Sequence, residues 1–224
     1  MADSFSAFQI ARSYGRSKFL RSRIIMRLLT DPVFKSAWKL IVHRGRPVLD
    51  LGCGMGFLGI SMRGAGLTER YRGFDIDPWR VNKGKEAMRY FGFENVGFEV
   101  RDALDVDIPQ GATVCVFDLL PHLPPEKQER LMAKLAEAAA SGSLVLVRAT
   151  FSDSPGQMLG IVPRSFWNLY ALLAKKPSVR LPKRRDFLEF FERSGLDWAL
   201  TQLRAGWIPR GELIAIEAPV EGTN

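Results

Sequence analysis

The sequence has few of the residues that build disulfide frameworks and metal cages. Its 224 residues include two cysteines, Cys53 and Cys115, and two histidines. Two cysteines so far apart show no pairing pattern, and two histidines are too few for a Cys/His metal cage. The sequence therefore predicts neither a disulfide scaffold nor a metal site, and it favours a reducing compartment.

Long apolar runs are also missing. No run approaches the ~20 residues that a membrane-spanning helix needs, and residues 1–30 alternate apolar side chains with Arg and Lys instead of forming the apolar stretch of a secretion signal. A content of 46% hydrophobic and 25% charged residues excludes a mainly disordered chain. We therefore expect a compact cytoplasmic protein.

The positive charge is concentrated in two segments. Residues 1–46 carry ten Lys/Arg against two Asp, and residues 164–185 carry seven Lys/Arg and no acid, so these segments hold +8 and +7. Because the whole chain is +8, the remaining residues sum to −7. Two interpretations stay open for the basic segments: solvated surface whose Lys and Arg stems cover apolar area, or contact with an anionic partner.

Strand and helix signals alternate along most of the chain. Short apolar runs are each followed by a helical pattern or a turn, and this order is typical of an α/β fold. The predicted strands are 47–51, 72–76, 96–100, 113–117, 144–147, 197–203 and 212–217. We predict one seven-stranded, mostly parallel, doubly wound (Rossmann-like) sheet.

Two segments fall outside this alternation. Residues 1–46 are predicted to be a basic helical N-terminal extension or lid, ahead of a main domain over residues 47–224. Residues 152–184 interrupt that domain and carry Phe166, Trp167 and Tyr170 near helical spacing. This insertion is either a helix packed on its own domain or an amphipathic cap over an apolar substrate, with a membrane surface as a further contact.

A glycine-rich turn follows the first predicted strand. Gly52, Gly54 and Gly56 permit positive φ and let a ligand approach the backbone closely. The glycines alone do not decide the ligand, because the same stretch also fits the dinucleotide pattern Gly-x-Gly-x-x-Gly. Asp50, at the end of the strand, would repel a pyrophosphate and suits a ligand with a cationic amino group.

On these residues the chain resembles the class I S-adenosylmethionine-dependent methyltransferases. The stretch from Leu49 to Gly56 matches the cofactor loop of that family, and the resemblance runs from about Arg46 to Glu217. It implies that S-adenosylmethionine is the cofactor and S-adenosylhomocysteine the product. Asp50 and the Gly52–Gly56 loop, which includes Cys53, would hold the methionine half of the cofactor.

The resemblance also implies roles for residues after the next strands. Asp75 takes the position of the acid that accepts both ribose hydroxyls, and Ile76 would lie against the adenine. Asp102 and Ala103 take the position that accepts the adenine amino hydrogens. Asp118, at the end of the fourth strand, would lie on the cofactor side.

His122 is the histidine closest to the inferred methyl-transfer site. A neutral imidazole there could remove a proton from the acceptor as the methyl group leaves sulfur. The alternative is a structural histidine that caps the following helix. Tyr14, Phe166, Trp167 and Tyr170 are the candidates to close over the acceptor.

The favoured function is O- or C-methylation of a small or lipid-like hydrophobic acceptor, with peripheral membrane or acyl-carrier contact as a further expectation. The alternative is an RNA or protein methyltransferase that grips its polymer with the basic segments. Nucleic acid is the less favoured partner, because the aromatic residues of 166–170 have helix-core spacing and no nucleic-acid module is recognised.

Overall fold

The structure, a computed structural model, describes residues 5–153 and 180–219. They contain seven strands: β1 (Val48–Leu51), β2 (Tyr71–Asp75), β3 (Val96–Val100), β4 (Thr113–Phe117), β5 (Leu144–Ala149), β6 (Asp197–Ala205) and β7 (Ile208–Glu217). The described helices are α1 (Ala7–Arg12), α2 (Lys18–Thr30), α3 (Val33–Arg44), α4 (Phe57–Gly64), α5 (Pro78–Phe91), α6 (Pro125–Ala140) and α7 (Arg184–Arg193). Short 3₁₀ turns follow β3 (Ala103–Asp105) and β4 (Leu120–His122).

All seven strands belong to one sheet, in the order β3-β2-β1-β4-β5-β7-β6. Strands β1 to β5 are parallel, and β7 runs antiparallel to both of its neighbours. The predicted seven-stranded, mostly parallel sheet is therefore confirmed. The chain builds outward from β1 to β3 and then returns to place β4 on the other side of β1. Open α/β sheets bind ligands at such a switch point, beyond the carboxyl ends of the strands.

Helices cover both faces of the sheet, as the doubly wound prediction requires. Successive side chains of a strand point to opposite faces. Val48 accordingly joins a buried cluster with α4 and α5, whereas Leu49 joins a second cluster with α6 and α7. Burial on both faces explains why β1 is apolar almost throughout instead of alternating with polar residues.

The N-terminal helices α1 to α3 pack into the first of these clusters. Ile10, Tyr14, Ile24, Phe34 and Ile41 are each at most 4% exposed there. A capping box between Ser6 and Gln9 begins α1, and Gly45, with φ of +59°, ends α3. The described part of residues 1–46 is thus helical. Its predicted role as a lid stays a prediction.

Most of the predicted insertion lies outside the described residues, including Phe166, Trp167 and Tyr170. Its two described ends lie close together. The backbone N–H of Ser152 donates to the carbonyl of Pro182 at 3.0 Å, and the N–H of Arg180 donates to the carbonyl of Pro121 at 2.9 Å. The insertion therefore leaves and rejoins the fold beside the 3₁₀ turn that follows β4.

Candidate functional site

The glycine turn connects the end of β1 to the start of α4. Gly52, Gly54 and Gly56 have φ of +78°, +57° and +77°, a region that residues with a Cβ rarely adopt. A Cβ at Gly56 would overlap the Phe98 ring, whereas a Cβ at Gly54 would have no heavy atom within 4 Å. The turn is closed on the side of Gly56 and open at Gly54, where a ligand could approach the backbone.

Hydrogen bonds fasten this turn to the end of β2. The backbone N–H groups of Gly52 and Cys53 donate to the carbonyl of Phe74 at 2.8 and 2.9 Å. The N–H of Gly54 donates to Oδ2 of Asp75 at 2.8 Å. Burial raises the pKa of the Cys53 thiol, so Cys53 contributes backbone contacts and a neutral side chain to the loop.

Asp75 is the carboxylate nearest the open part of the turn. Its side chain is mostly buried, with 7% exposure of the residue, and its Oδ1 accepts the N–H of Asp77 at 2.9 Å. Each carboxylate oxygen has capacity for a second hydrogen bond. The carboxylate could therefore still accept two hydroxyls of a vicinal diol.

An apolar side chain lies next to this carboxylate. Ile76 is 69% exposed, which is unusual for an isoleucine and leaves its surface available to a flat ring. Asp102 follows β3, and the N–H of Leu104 donates to its Oδ1 at 3.0 Å while Lys127 pairs with Oδ2 at 2.9 Å. These bonds lower the pKa of Asp102 and keep it an acceptor. Ala103 beside it is buried.

Asp50 lies beneath the turn and not at its surface. It is 3% exposed, and the hydroxyl of Tyr71 donates to its Oδ2 at 2.6 Å. Burial raises the pKa of Asp50 from 3.8 to about 7, although the Tyr71 hydrogen bond opposes this change. A cation bound at the turn would favour the ionised form. The predicted contact between Asp50 and an amino group stays a prediction.

Tyr14 attaches the N-terminal helices to the turn. Its hydroxyl donates to the carbonyl of Met55 at 3.0 Å, and its ring packs edge-on against Phe57 with centroids 5.3 Å apart. The side chain is 1% exposed. Tyr14 is therefore held under the turn, and its predicted contact with an acceptor stays a prediction.

A group of charged residues surrounds the end of β4, and we call Arg27, Asp31, Asp118 and Arg148 the charge cluster. Asp118 has φ of +61°, the single positive φ outside glycine among the described residues. Arg148 Nη1 lies 2.6 Å from Asp118 Oδ2 and 3.0 Å from Asp31 Oδ2. Arg27 Nη2 lies 3.3 Å from Asp118 Oδ2. Asp118, predicted on the cofactor side, thus pairs with two arginines.

The sequence analysis missed Arg27, Asp31 and Arg148. One local signal was available: Arg148 is the charged residue in the otherwise apolar strand Leu144–Ala149. A charge near the carboxyl end of a buried parallel strand lies at the edge where α/β folds bind ligands.

His122 ends the 3₁₀ turn after β4. Its backbone N–H donates to the carbonyl of Leu119 at 2.9 Å, and the residue is exposed. Both interpretations of this histidine, a proton acceptor or a structural residue before α6, remain predictions.

Residues 5–153 and 180–219 contain neither a metal-ligand cluster nor a membrane-spanning helix. This part of the chain has no group of three or more His, Cys, Asp or Glu side chains placed to hold a metal ion. It also has no helix that is both long and apolar enough to cross a bilayer.

Known proteins share this arrangement. Residues 48–142 match a family model described as a methyltransferase domain. The structure of magnesium protoporphyrin IX methyltransferase from Synechocystis PCC 6803 with bound S-adenosylhomocysteine superposes with a TM-score of 0.65 at 19% identity, over 96% of both chains. The family match covers less than half of this chain, and the described structure has the fold of the class I S-adenosylmethionine-dependent methyltransferases.

A second solved structure also shares the fold. An O-methyltransferase from neocarzinostatin biosynthesis, solved with S-adenosylhomocysteine and 1,4-dihydroxy-2-naphthoic acid, gives a TM-score of 0.63 at 17% identity, over 88% of this chain and 56% of that chain. At such identities the structures show a shared fold.

Two curated relatives match about half of this chain. Ajmaline N-methyltransferase of Rauvolfia serpentina is 31% identical over 109 residues, which are 46% of this chain and 35% of the relative. Carboxy-S-adenosyl-L-methionine synthase of Shewanella sp. (strain W3-18-1) is 29% identical over 117 residues, 50% of this chain and 48% of the relative. The chain thus spans less than half the length of either relative.

The two ends of the turn should respond differently to the same substitution. We expect Gly54→Ala to lower the free energy of unfolding by about 1–2 kcal/mol, because a side chain at positive φ is strained but meets no neighbour there. Gly56→Ala should cost about 1–3 kcal/mol more, since its Cβ would also displace the Phe98 ring. Urea unfolding measures both variants. Equal costs would contradict the close packing at Gly56.

The raised pKa of Asp50 predicts a pH dependence of stability. Because the pKa is higher in the folded state than the ordinary value of 3.8, the folded state binds the extra proton between about pH 4 and 7. Stability from this group should therefore be present at low pH and fall as pH rises, by at most about 1.4 kcal/mol per pH unit. Asp50→Asn should remove that slope from urea unfolding measured across this range.

The control for this experiment is Asp186→Asn, at an exposed carboxyl on α7. It should keep the wild-type pH dependence. Parallel curves for the wild type and Asp50→Asn would show that Asp50 is ionised in the folded state throughout this range.

Proposed function

We propose that this chain binds S-adenosylmethionine at the carboxyl ends of β1, β2 and β3 and transfers its methyl group to a small organic acceptor. The observation that carries the proposal is the position of Asp75. Its carboxylate lies at the carboxyl end of β2, with Oδ2 2.8 Å from the Gly54 nitrogen at the open part of the turn, and it retains capacity for two more hydrogen bonds.

The residues around Asp75 fit the other parts of this cofactor. Ile76 offers an exposed aliphatic surface to the adenine, and Asp102, kept ionised, is an acceptor for its amino group. The space in front of Gly54 would take the methionine half. Asp50 beneath the turn fits a cationic ligand. A positive charge at the turn would favour the ionised form of Asp50, and the two opposite charges would attract each other.

The protein's part in the reaction would be alignment and exclusion of water. When bound, the cofactor would supply a methyl group on its sulfonium, and an acceptor atom would attack that methyl carbon in line as the S–CH3 bond breaks and S-adenosylhomocysteine leaves. The turn, fixed by Phe74 and Asp75, would hold the cofactor in one position, and the surface beside Asp118 would orient the acceptor. Such positioning converts a bimolecular step into an effectively unimolecular one.

A small hydrophobic acceptor remains the favoured class. This class is supported by solved structures of the same fold whose names describe O-methyltransferases, one from neocarzinostatin biosynthesis and one acting at position 7 of mitomycin. A lipid-like acceptor, contact with a membrane surface or acyl carrier, and a cytoplasmic location stay predictions. The insertion that would carry most of these contacts lies mainly outside the described residues.

The cofactor assignment is tested by calorimetric titration. We expect S-adenosylhomocysteine to bind and NAD not to bind, because Asp50 beneath the turn suits a cationic amino group and would repel a pyrophosphate, while Asp75 would accept the ribose diol. Asp75→Ala should weaken S-adenosylhomocysteine binding by about 2–4 kcal/mol through the loss of two charge-assisted hydrogen bonds.

Asp107→Ala is the matched control, at an exposed carboxylate on the loop before β4. It should bind S-adenosylhomocysteine like the wild type. Because Asp75 also holds the Gly54 N–H, circular dichroism must first show that each variant is folded. Binding of NAD in place of S-adenosylhomocysteine would overturn the proposal.

His122 is our candidate for the proton acceptor, because the 3₁₀ turn that it ends directly follows β4. Acceptors can be found by screening small aromatic and aliphatic hydroxy compounds for release of S-adenosylhomocysteine. With such an acceptor, we expect His122→Ala to lower turnover by ~10²–10⁴-fold and to leave the affinity for S-adenosylhomocysteine unchanged. Turnover close to that of the wild type would instead assign His122 a structural role.

A further inference from the structure

A cavity of about 260 Å³ lies beside the charge cluster, on the β4 and β5 side of the switch point. It is separate from the positions that the proposed cofactor would occupy next to β2 and β3. Arg27 and Thr30 of α2 line it together with Asp31, which follows α2. The other lining residues are Asp118 after β4, Arg148 of β5 and Arg210 of β7.

The charges around this cavity do not balance. Arg27 and Arg148 together pair with Asp31 and Asp118, so these four side chains sum to zero. Arg210 adds one positive charge, and its exposed side chain has no ion pair with any residue in 5–153 or 180–219. The cavity therefore has a surplus of one positive charge.

One nitrogen of the Arg148 side chain, its Nε, is enclosed and has no hydrogen-bond acceptor among the described residues. The Arg148 side chain is 11% exposed, Nη1 is shared by the two aspartates, and Nη2 donates to the carbonyl of Arg210 at 2.9 Å. A guanidinium has five N–H donors, and one on Nη2 of Arg148 is not used by these bonds, so an oxyanion in the cavity could accept from it.

The cavity adjoins the glycine turn. The guanidinium of Arg27 lies over the ring of Phe57, 5.9 Å from its centroid, and Phe57 directly follows Gly56. Asp118 directly follows β4, whose neighbour in the sheet is β1. A molecule in this cavity would therefore lie next to the turn that holds the proposed cofactor.

We propose that this cavity binds a carboxylate group of the methyl acceptor, with Arg148 and Arg210 as its main partners. The inference rests on the proposed function and narrows the acceptor to an amphiphilic organic acid. Guanidinium groups match the planar oxygens of a carboxylate with paired hydrogen bonds. A single negative charge balances the surplus of one positive charge, whereas a phosphate dianion would exceed it.

Ligand-observed NMR with benzoate and benzamide tests the proposal in the full chain at low salt. The two probes have nearly the same shape, and only benzoate is charged. We expect saturable benzoate binding at least tenfold tighter than benzamide binding. Arg210→Gln, which changes an exposed side chain, and Arg148→Gln should each weaken benzoate binding by about tenfold or more, as expected for loss of a charged hydrogen bond.

The control variant is Arg193→Gln on α7, a side chain 80% exposed and paired with Glu189. It should bind benzoate like the wild type. S-adenosylhomocysteine binding is measured on every variant, and we expect it to be retained. This second measurement shows that Arg148→Gln is folded, and Arg210→Gln provides the same test without removing an interior ion pair.

Each outcome decides the proposal. Benzoate binding that depends on Arg148 and Arg210 supports it. Equal affinity for benzoate and benzamide, or benzoate binding unchanged in both variants, overturns it while S-adenosylhomocysteine binding leaves the proposed function intact. Arginine-dependent benzoate binding by a chain that does not bind S-adenosylhomocysteine would support an anion site and overturn the proposed methyl transfer.

Discussion

The packing of Gly56 against the Phe98 ring fixes where β1 ends and α4 begins, and the rest of the site is built around that turn. Because Gly56 has no side chain, the Phe98 ring can pack against the turn from below. Phe98 belongs to β3, which lies two strands away from β1 in the sheet. The turn then presents the Gly54 N–H to Asp75 and places Phe57 where Tyr14 and Arg27 contact it. One steric constraint thereby brings together the cofactor loop, the end of β2 and the N-terminal helices.

Local sequence patterns predicted the sheet and the residues at its edge. The parallel strands are short apolar runs, and a residue after such a run must lie at the carboxyl edge, which is why Asp75 and Asp102 could be placed from sequence. The resemblance also placed Ile76 next to Asp75, and the 69% exposure of Ile76 leaves its side chain accessible to a ligand. These predictions depend only on residues that are close in sequence, so they can be made without knowledge of the tertiary contacts.

Contacts between distant segments could not be predicted in the same way. Arg148 and Asp31 are 117 positions apart, and neither the strand of one nor the helix of the other carries a pattern that specifies its partner. The environment of Asp50 depends on strand register, because Val48 is paired with Tyr71 and this pairing brings the tyrosine hydroxyl under the turn. The burial of Tyr14 could not be predicted either, since it depends on how the N-terminal helices pack against the glycine turn, which their own sequence does not reveal.

The N-terminal helices and the sheet share one buried core, so the part of the chain that folds together is longer than the part that matches the family model. The family match begins at residue 48, yet Ile10, Ile24 and Phe34 belong to the same buried cluster as Val48 and Leu58. Small cores of this kind melt cooperatively, so we expect these helices and the sheet to unfold together in a single transition. A substitution in the buried face of these helices should therefore lower the stability of the sheet as well, although it lies outside the residues of the family match.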